Sequence, residues 1–259
     1  MRSLLAPVAA AALALSVLAS GAHGGAFPVN PGPIVQGKPI IGSGQNLPPI
    51  VDTTWNQGAS VFPQVSWYYE STALPRDQSQ VVAAARSWVQ RRVRRGCDGT
   101  TPADLRRCRV AVVFDLDDTL LSTWPYEKAQ DPPLSFTVST WNAFVQACGY
   151  EPIPPSIDLL NDLRRQGVYV AIISGGSVAD SPYSKACLRT NGVQGWDQAT
   201  FRPPSAEGMT AAQYKVRVRM ALEKKGYAII ASIGDQVSDM SWGHLERGFL
   251  LPNVMAHLA

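Results

Sequence analysis

The run Val112-Val113-Phe114-Asp115-Leu116-Asp117-Asp118-Thr119-Leu120-Leu121 constrains this chain more than any other segment. Its β-branched and aromatic start favours a buried strand, yet the strand runs straight into three carboxylates and a hydroxyl. Ending a buried element that way is costly, and chemistry is the natural reason for it. Open α/β sheets keep their ligand sites at the carboxyl ends of their strands. Asp115 and Asp117 are two residues apart, so in extended chain they project to the same side. Like charges that close shift one another's proton affinities and attract a cation. One acid can attack while the other moves protons.

The remainder of the chain is compatible with one substantial core. Of 259 residues, 46% are hydrophobic and only 17% charged, which excludes compositional disorder. Residues 1–24 read as a secretory signal: Arg2 is a short basic start, Leu4 to Leu18 an Ala/Leu-rich apolar stretch, and Ala22-His23-Gly24 a small-x-small cleavage site. The apolar run is short for a bilayer span, and its removal leaves no membrane anchor. The expected location is secreted, either extracellular or periplasmic. The remainder carries a net charge of about +2 and shows no specific nucleic-acid-binding pattern.

All four cysteines, Cys97, Cys108, Cys148 and Cys187, lie in the exported part, an even number that suits two disulfides in an oxidising compartment. Three pairings are open. The short loop favours Cys97 with Cys108, and Cys148 with Cys187 then follows by elimination. A zinc site is the alternative, but no CxxC spacing or paired histidine supports it.

Residues 25–63 are crowded with Pro and Gly and predict an extended arm, and residues 64–259 the folded domain. Apolar spacing predicts a helix from about Ser79 to Arg94, with Pro75 and Asp77 marking its start. After Asp115 the pattern alternates. A helix from about Pro155 to Arg165 precedes a strand Val168–Ile173; a helix from about Thr210 to Lys224 precedes strands Ala228–Ile233 and Phe249–Leu251. That alternation predicts a largely parallel sheet with helices on both faces.

Three further elements are ordinary when taken alone. Ser174-Gly175-Gly176 after Ile173 could be a turn, although glycines there let backbone N–H groups approach an anion. Lys215 could be a surface lysine, and Gly234-Asp235-Gln236-Val237-Ser238-Asp239 an Asp turn with a helix cap. Taken in order with Asp115-Leu116-Asp117-Asp118-Thr119, they form the series DxDxT, Ser, Lys and GDxxxD. In that series the chain resembles the haloacid dehalogenase (HAD) superfamily of phosphohydrolases, and more narrowly its subfamily IIIB secreted acid phosphatases, which include plant vegetative storage proteins. Trp67-Tyr68-Tyr69-Glu70-Ser71, Pro125-Tyr126, Trp141-Asn142, Tyr214-Lys215 and Leu251-Pro252-Asn253 also match.

The resemblance implies a HAD-like Rossmannoid α/β fold with a small helical lid and an N-terminal helical segment. It implies an acid phosphatase acting on small phosphomonoesters, nucleotides among them, with Mg²⁺ as cofactor. Asp115 would be the nucleophile, Asp117 the acid and base, Ser174 a hydrogen-bond donor to the phosphoryl group and Lys215 its counter-charge. Asp115, Asp117 through its backbone carbonyl and Asp235 would hold the metal, and Asp239 would act through a metal-bound water or orient Lys215. Thr119, Gly175, Trp124 and Tyr126 would face the substrate, the two aromatic residues as an apolar wall. An acid at Asp117 speaks against dehalogenation, because a departing halide needs no proton. No Arg-His-Gly or Cys-x5-Arg motif supports a histidine or cysteine nucleophile. Two alternatives stay open: a non-catalytic storage or phosphate- and metal-binding protein, and phosphoryl transfer to alcohols.

Overall fold

The computed structural model describes residues 31–35, 38–42 and 57–255. The expected signal segment, residues 1–24, lies outside them. Of the Pro/Gly-rich arm, the described parts are two strands, β1 (Pro31–Val35) and β2 (Lys38–Gly42), and the opening turns of α1 (Gln57–Glu70). Next come α2 (Ala73–Gly96), α3 (Pro102–Cys108) and β3 (Val110–Phe114). The segment after β3 holds β4 (Leu121–Ser122), α4 (Trp124–Ala129), α5 (Val138–Gln146) and β5 (Glu151–Pro152). The chain continues through α6 (Pro154–Gln166), β6 (Tyr169–Ser177), α7 (Ser181–Thr190), β7 (Gln198–Arg202), α8 (Ala211–Lys224), β8 (Ala228–Gly234) and β9 (Gly248–Leu250).

The sheet order is β1-β2-β9-β8-β3-β6-β7, with every neighbouring pair parallel except β1 with β2. This is the expected architecture. The chain leaves β3 on one side through β6 and β7 and returns on the other through β8, so the direction of progression reverses at β3. The crevice beyond the carboxyl ends of β3 and β8 is where such a sheet holds ligands.

Strand alternation sorts the core into two layers. Val112 and Phe114 of β3 pack with Val81, Ala85 and Val89 of α2 and Leu160 and Leu163 of α6. Ala111 and Val113 pack with Tyr214, Val218 and Leu222 of α8. Asp115 follows the odd-numbered set and keeps the ladder going through its N–H, which donates to the Ile233 carbonyl at 2.9 Å. It therefore emerges on the face covered by α8.

Two sequence expectations need correction. Helix α2 begins at Ala73 rather than near Ser79: Pro75 sits in its first turn, where a missing N–H costs nothing. Asp77 is not a cap but a buried acceptor for the Tyr68 hydroxyl of α1, at 2.9 Å. The lid, expected to be helical, also contains the antiparallel ribbon of β4 and β5, which pairs Leu121 with Pro152. Cystine bridges join Cys97 to Cys108 and Cys148 to Cys187, as favoured from the sequence. The second ties the end of α5 to α7, anchoring the lid to the helix that follows β6.

Candidate active site

Four elements meet at the carboxyl edge of the sheet. β3 delivers Asp115 and, after a tight turn, Asp117; β6 delivers Ser174; β8 delivers Asp235 and Asp239; α8 delivers Lys215. The turn is closed by the Leu116 carbonyl, which accepts from the N–H groups of Leu120 and Leu121 at 2.9 and 3.1 Å. Helix α8 is started by a capping box in which Thr210 and Gln213 exchange side-chain-to-backbone hydrogen bonds. Lys215 thus stands in the second turn, one turn above Arg219 on the same face.

Carboxylate oxygens of Asp115, Asp235 and Asp239 all lie within 4.8 Å of one another, and all three residues are buried. Lys215 donates to Asp239 and lies 2.9 Å from Asp115 Oδ1. That second approach lacks hydrogen-bond geometry, so the buried Asp115 Oδ1 has a charge beside it but no hydrogen bond. Three carboxylates against one ammonium leave a negative excess in a dry site. This oxygen-rich donor set fits a hard divalent cation. Gly234 is required by the same geometry: a Cβ there would lie 2.1 Å from Asp239 Oδ2.

Burial and the neighbouring Asp239 push the Asp115 carboxyl up to about 6, against the pull of Lys215. Burial, with Asp115 and Asp118 beside it, pushes Asp117 up to about 7. Asp235 is also held well above the usual carboxylate range, first by burial and then by Asp239 and Asp115. For Lys215, burial works against the ammonium, but Asp115 and Asp239 outweigh it and hold the ammonium charged.

Several side chains sit elsewhere than their expected roles imply. The Thr119 hydroxyl is fully buried and donates to Asp235 Oδ1 at 3.1 Å, so it braces a candidate metal ligand rather than facing substrate. Trp124 is 3% exposed and stacked between Phe62 and Tyr69, at 5.8 and 5.0 Å. Tyr126 is 2% exposed, packed on Trp141 and Phe144, with its hydroxyl bonded within the lid to Thr140. Neither ring forms a wall open to solvent. Among the described residues the exposed apolar side chains include instead Phe136 and Val138 of the lid, Val178 after β6, and Val237 and Trp242 after β8. The Asp117 carboxylate stands outside the three-carboxylate group and accepts from the Tyr150 hydroxyl at 3.1 Å. Ser174 Oγ accepts from the Gly176 N–H at 3.0 Å, which orients the hydroxyl group at the strand end.

Two supporting residues, Tyr150 and Arg219, were not singled out from the sequence, and Asn253 entered only as part of the Leu251-Pro252-Asn253 match. Tyr150 arrives from the lid with no local motif. Asn253 bridges Asp118 and Asp235, donating to their Oδ2 atoms at 3.3 and 2.7 Å. Arg219 is fully buried and donates to the carbonyls of Asp239, Ser241 and Gly243, wiring the loop that carries Asp239. Its spacing of four from Lys215 was the one available signal. A cavity of about 210 Å³ lined by Arg109, Arg164, Tyr169, Asp197 and Tyr227 lies at the opposite, amino-terminal edge of the strands. There Arg164 is already paired with Asp197 and Arg109 with the Lys225 carbonyl.

Comparison with known proteins places these residues in a family. Vegetative storage protein 1 of Arabidopsis thaliana is 32% identical over 148 residues, covering 56% of this chain and 54% of that protein. Acid phosphatase 1 of Solanum lycopersicum is 28% identical over 148 residues, covering 56% and 58%. The chain thus spans a little over half the length of the curated relatives it matches. The class C acid phosphatase from Bacillus anthracis shares the fold, with a TM-score of 0.62 over 78% of this chain and 86% of that chain at 16% identity. Residues 53–258 match the model of the HAD superfamily, subfamily IIIB (acid phosphatase). With the DxDxT, Ser, Lys and GDxxxD residues gathered at one sheet edge, the chain belongs to that subfamily.

Proposed function

We propose that this protein is a secreted Mg²⁺-dependent acid phosphatase that hydrolyses small phosphomonoesters, nucleotides among them, through an aspartyl-phosphate. The observation that carries the reading is the division of labour between two acids two residues apart. Asp115 faces Lys215, Asp235 and Asp239, whereas Asp117 stands outside that group and accepts from the Tyr150 hydroxyl.

An Asp115 oxygen attacks phosphorus in line with the ester oxygen, and the P–O ester bond breaks as the Asp115–phosphorus bond forms. Asp117, raised to about 7 and therefore protonated in acid, gives its proton to the departing alkoxide. Its carboxylate then takes a proton from water attacking phosphorus, which frees phosphate and restores Asp115. Lys215 offsets phosphoryl charge beside the nucleophile, and Ser174 donates to a phosphoryl oxygen once its hydroxyl hydrogen points outward. Asp115, Asp235 and Asp239, with the Asp117 backbone carbonyl, would hold Mg²⁺. When bound, that ion supplies positive charge where the attacking and transferring oxygens gather.

The two disulfides support an oxidising compartment. Among the described residues no helix is long and apolar enough to cross a membrane. The test is hydrolysis of 4-nitrophenyl phosphate from acid to neutral pH with Mg²⁺ and with a chelator. Metal-dependent turnover is expected, and its absence at every pH would overturn the reading. Because two relatives are named as storage proteins, phosphate and Mg²⁺ binding without turnover would favour a non-catalytic role.

A further inference from the structure

The site as described has one cation for a substrate that brings two negative charges. Three carboxylates face Lys215 alone, and a divalent ion would bring that group only to neutrality. The carboxyl end of β6 offers a hydroxyl at Ser174 and two uncharged glycines, Gly175 and Gly176. A phosphate monoester dianion entering there needs a further positive group.

Arg202 is the last residue of β7, in register with Ser177 of β6, and so stands at the same carboxyl edge. Its Nη1 donates to the Met209 carbonyl at 3.2 Å, and its guanidinium carbon lies 5.6 Å from the centre of the Tyr214 ring. Those contacts hold the head in place, and among the described residues its opposite edge makes no hydrogen bond. Nε is buried without a hydrogen-bond partner. Nη2 faces Gly175: a Cβ built there would meet Arg202 Nη2 at 3.8 Å and Lys215 Cε at 3.9 Å, with nothing nearer. Arg202 and Lys215 therefore flank one space, kept open by the absence of a side chain at Gly175. The edge formed by Nε and Nη2 is the one that pairs bidentately with phosphate.

We propose that Arg202 is the second cation of the substrate-phosphate site, binding phosphoryl oxygens through its Nε–Nη2 edge across the space left by Gly175. The assignment rests on the phosphatase reading above. Because the contact is present before and during attack, it contributes uniform binding, which appears in KM more than in kcat.

The test compares wild type with Arg202→Gln and Arg202→Lys in Mg²⁺-dependent hydrolysis and in competitive inhibition by inorganic phosphate. Losing a charged hydrogen-bond pair should raise KM and the phosphate inhibition constant roughly 10- to 100-fold in the Gln variant, with a much smaller change in kcat. The Lys variant should recover part of the loss. A measurement on the unmodified protein covers the case in which a variant does not fold. With Mg²⁺ present, inorganic phosphate should protect Arg202 from phenylglyoxal, mapped by mass spectrometry, while the exposed Arg94 and Arg95 react at unchanged rates. Unchanged KM and inhibition in active variants, or equal labelling of Arg202 with and without phosphate, would overturn the assignment alone. A wild-type protein that neither turns over aryl phosphates nor binds inorganic phosphate would overturn the phosphatase reading and this one with it.

Discussion

The Tyr150 hydroxyl donates to Asp117 Oδ1 at 3.1 Å, joining the lid to the proposed proton donor. Burial and the neighbouring carboxylates Asp115 and Asp118 push Asp117 up to about 7, while this hydrogen bond pulls it down by favouring the charged form. Removing the hydroxyl therefore raises Asp117 further and keeps its acid form to higher pH. Tyr150→Phe should move the alkaline limb of the kcat/KM profile to higher pH, read from rates between pH 4 and 9. A limb that stays fixed or moves down would contradict the assignment of Asp117 as the acid.

Arg219 supports the site from beneath. Its three carbonyl acceptors are the loop residues Asp239, Ser241 and Gly243, and burial holds its guanidinium down at about 10. Arg219→Met keeps most of the volume but removes the donor to the Ser241 and Gly243 carbonyls, and leaves the Asp239 carbonyl with the Ser232 hydroxyl alone. It should cost about 3 kcal/mol or more of stability, measured by urea unfolding, and should weaken metal binding through Asp239, measured by calorimetry. Full stability with unaltered metal affinity would show that the loop holds itself.

Glu127 gives a pH dependence of stability. Its carboxyl is buried, Oε2 has no partner among the described residues, and burial, followed by the charge of Asp118, raises it from 4.5 to about 7. Between those values the native state holds a proton that the unfolded chain has lost, so this group's contribution falls as pH rises through that window. Glu127→Gln should leave the melting temperature near that of wild type at pH 4.5. At pH 8 it should raise it, by a stabilisation on the order of 2–3 kcal/mol. Equal effects at both pH values would contradict the account.

Much of the candidate site was legible because its proposed reacting groups interrupt recognisable elements. Asp115 and Asp235 end apolar strands, where a buried carboxylate has no packing reason to be, and Lys215 follows the capping residues of α8. Residues that act through tertiary approach left no such trace. Tyr150 is 33 positions from its partner Asp117, and Arg202 lies on a strand too short and polar to stand out in QATFR. Helix α7 is equally muted, because only Ser181, Ser184, Cys187 and Leu188 are buried in it. Trp124 and Tyr126 show the converse. A large aromatic beside a motif serves equally as core or as wall, and only the packing of Phe62, Tyr69, Trp141 and Phe144 around them decides for the core.

The central claim is that Asp115 is phosphorylated during turnover. Its most direct test is to mix the protein with a phosphomonoester and Mg²⁺, quench in acid, and reduce with borohydride, which converts an aspartyl-phosphate to homoserine that mass spectrometry can locate. The account predicts homoserine at position 115, dependent on substrate and absent from Asp115→Asn. Metal-dependent turnover with Asp115 never reduced, or with homoserine at Asp117 instead, would contradict it.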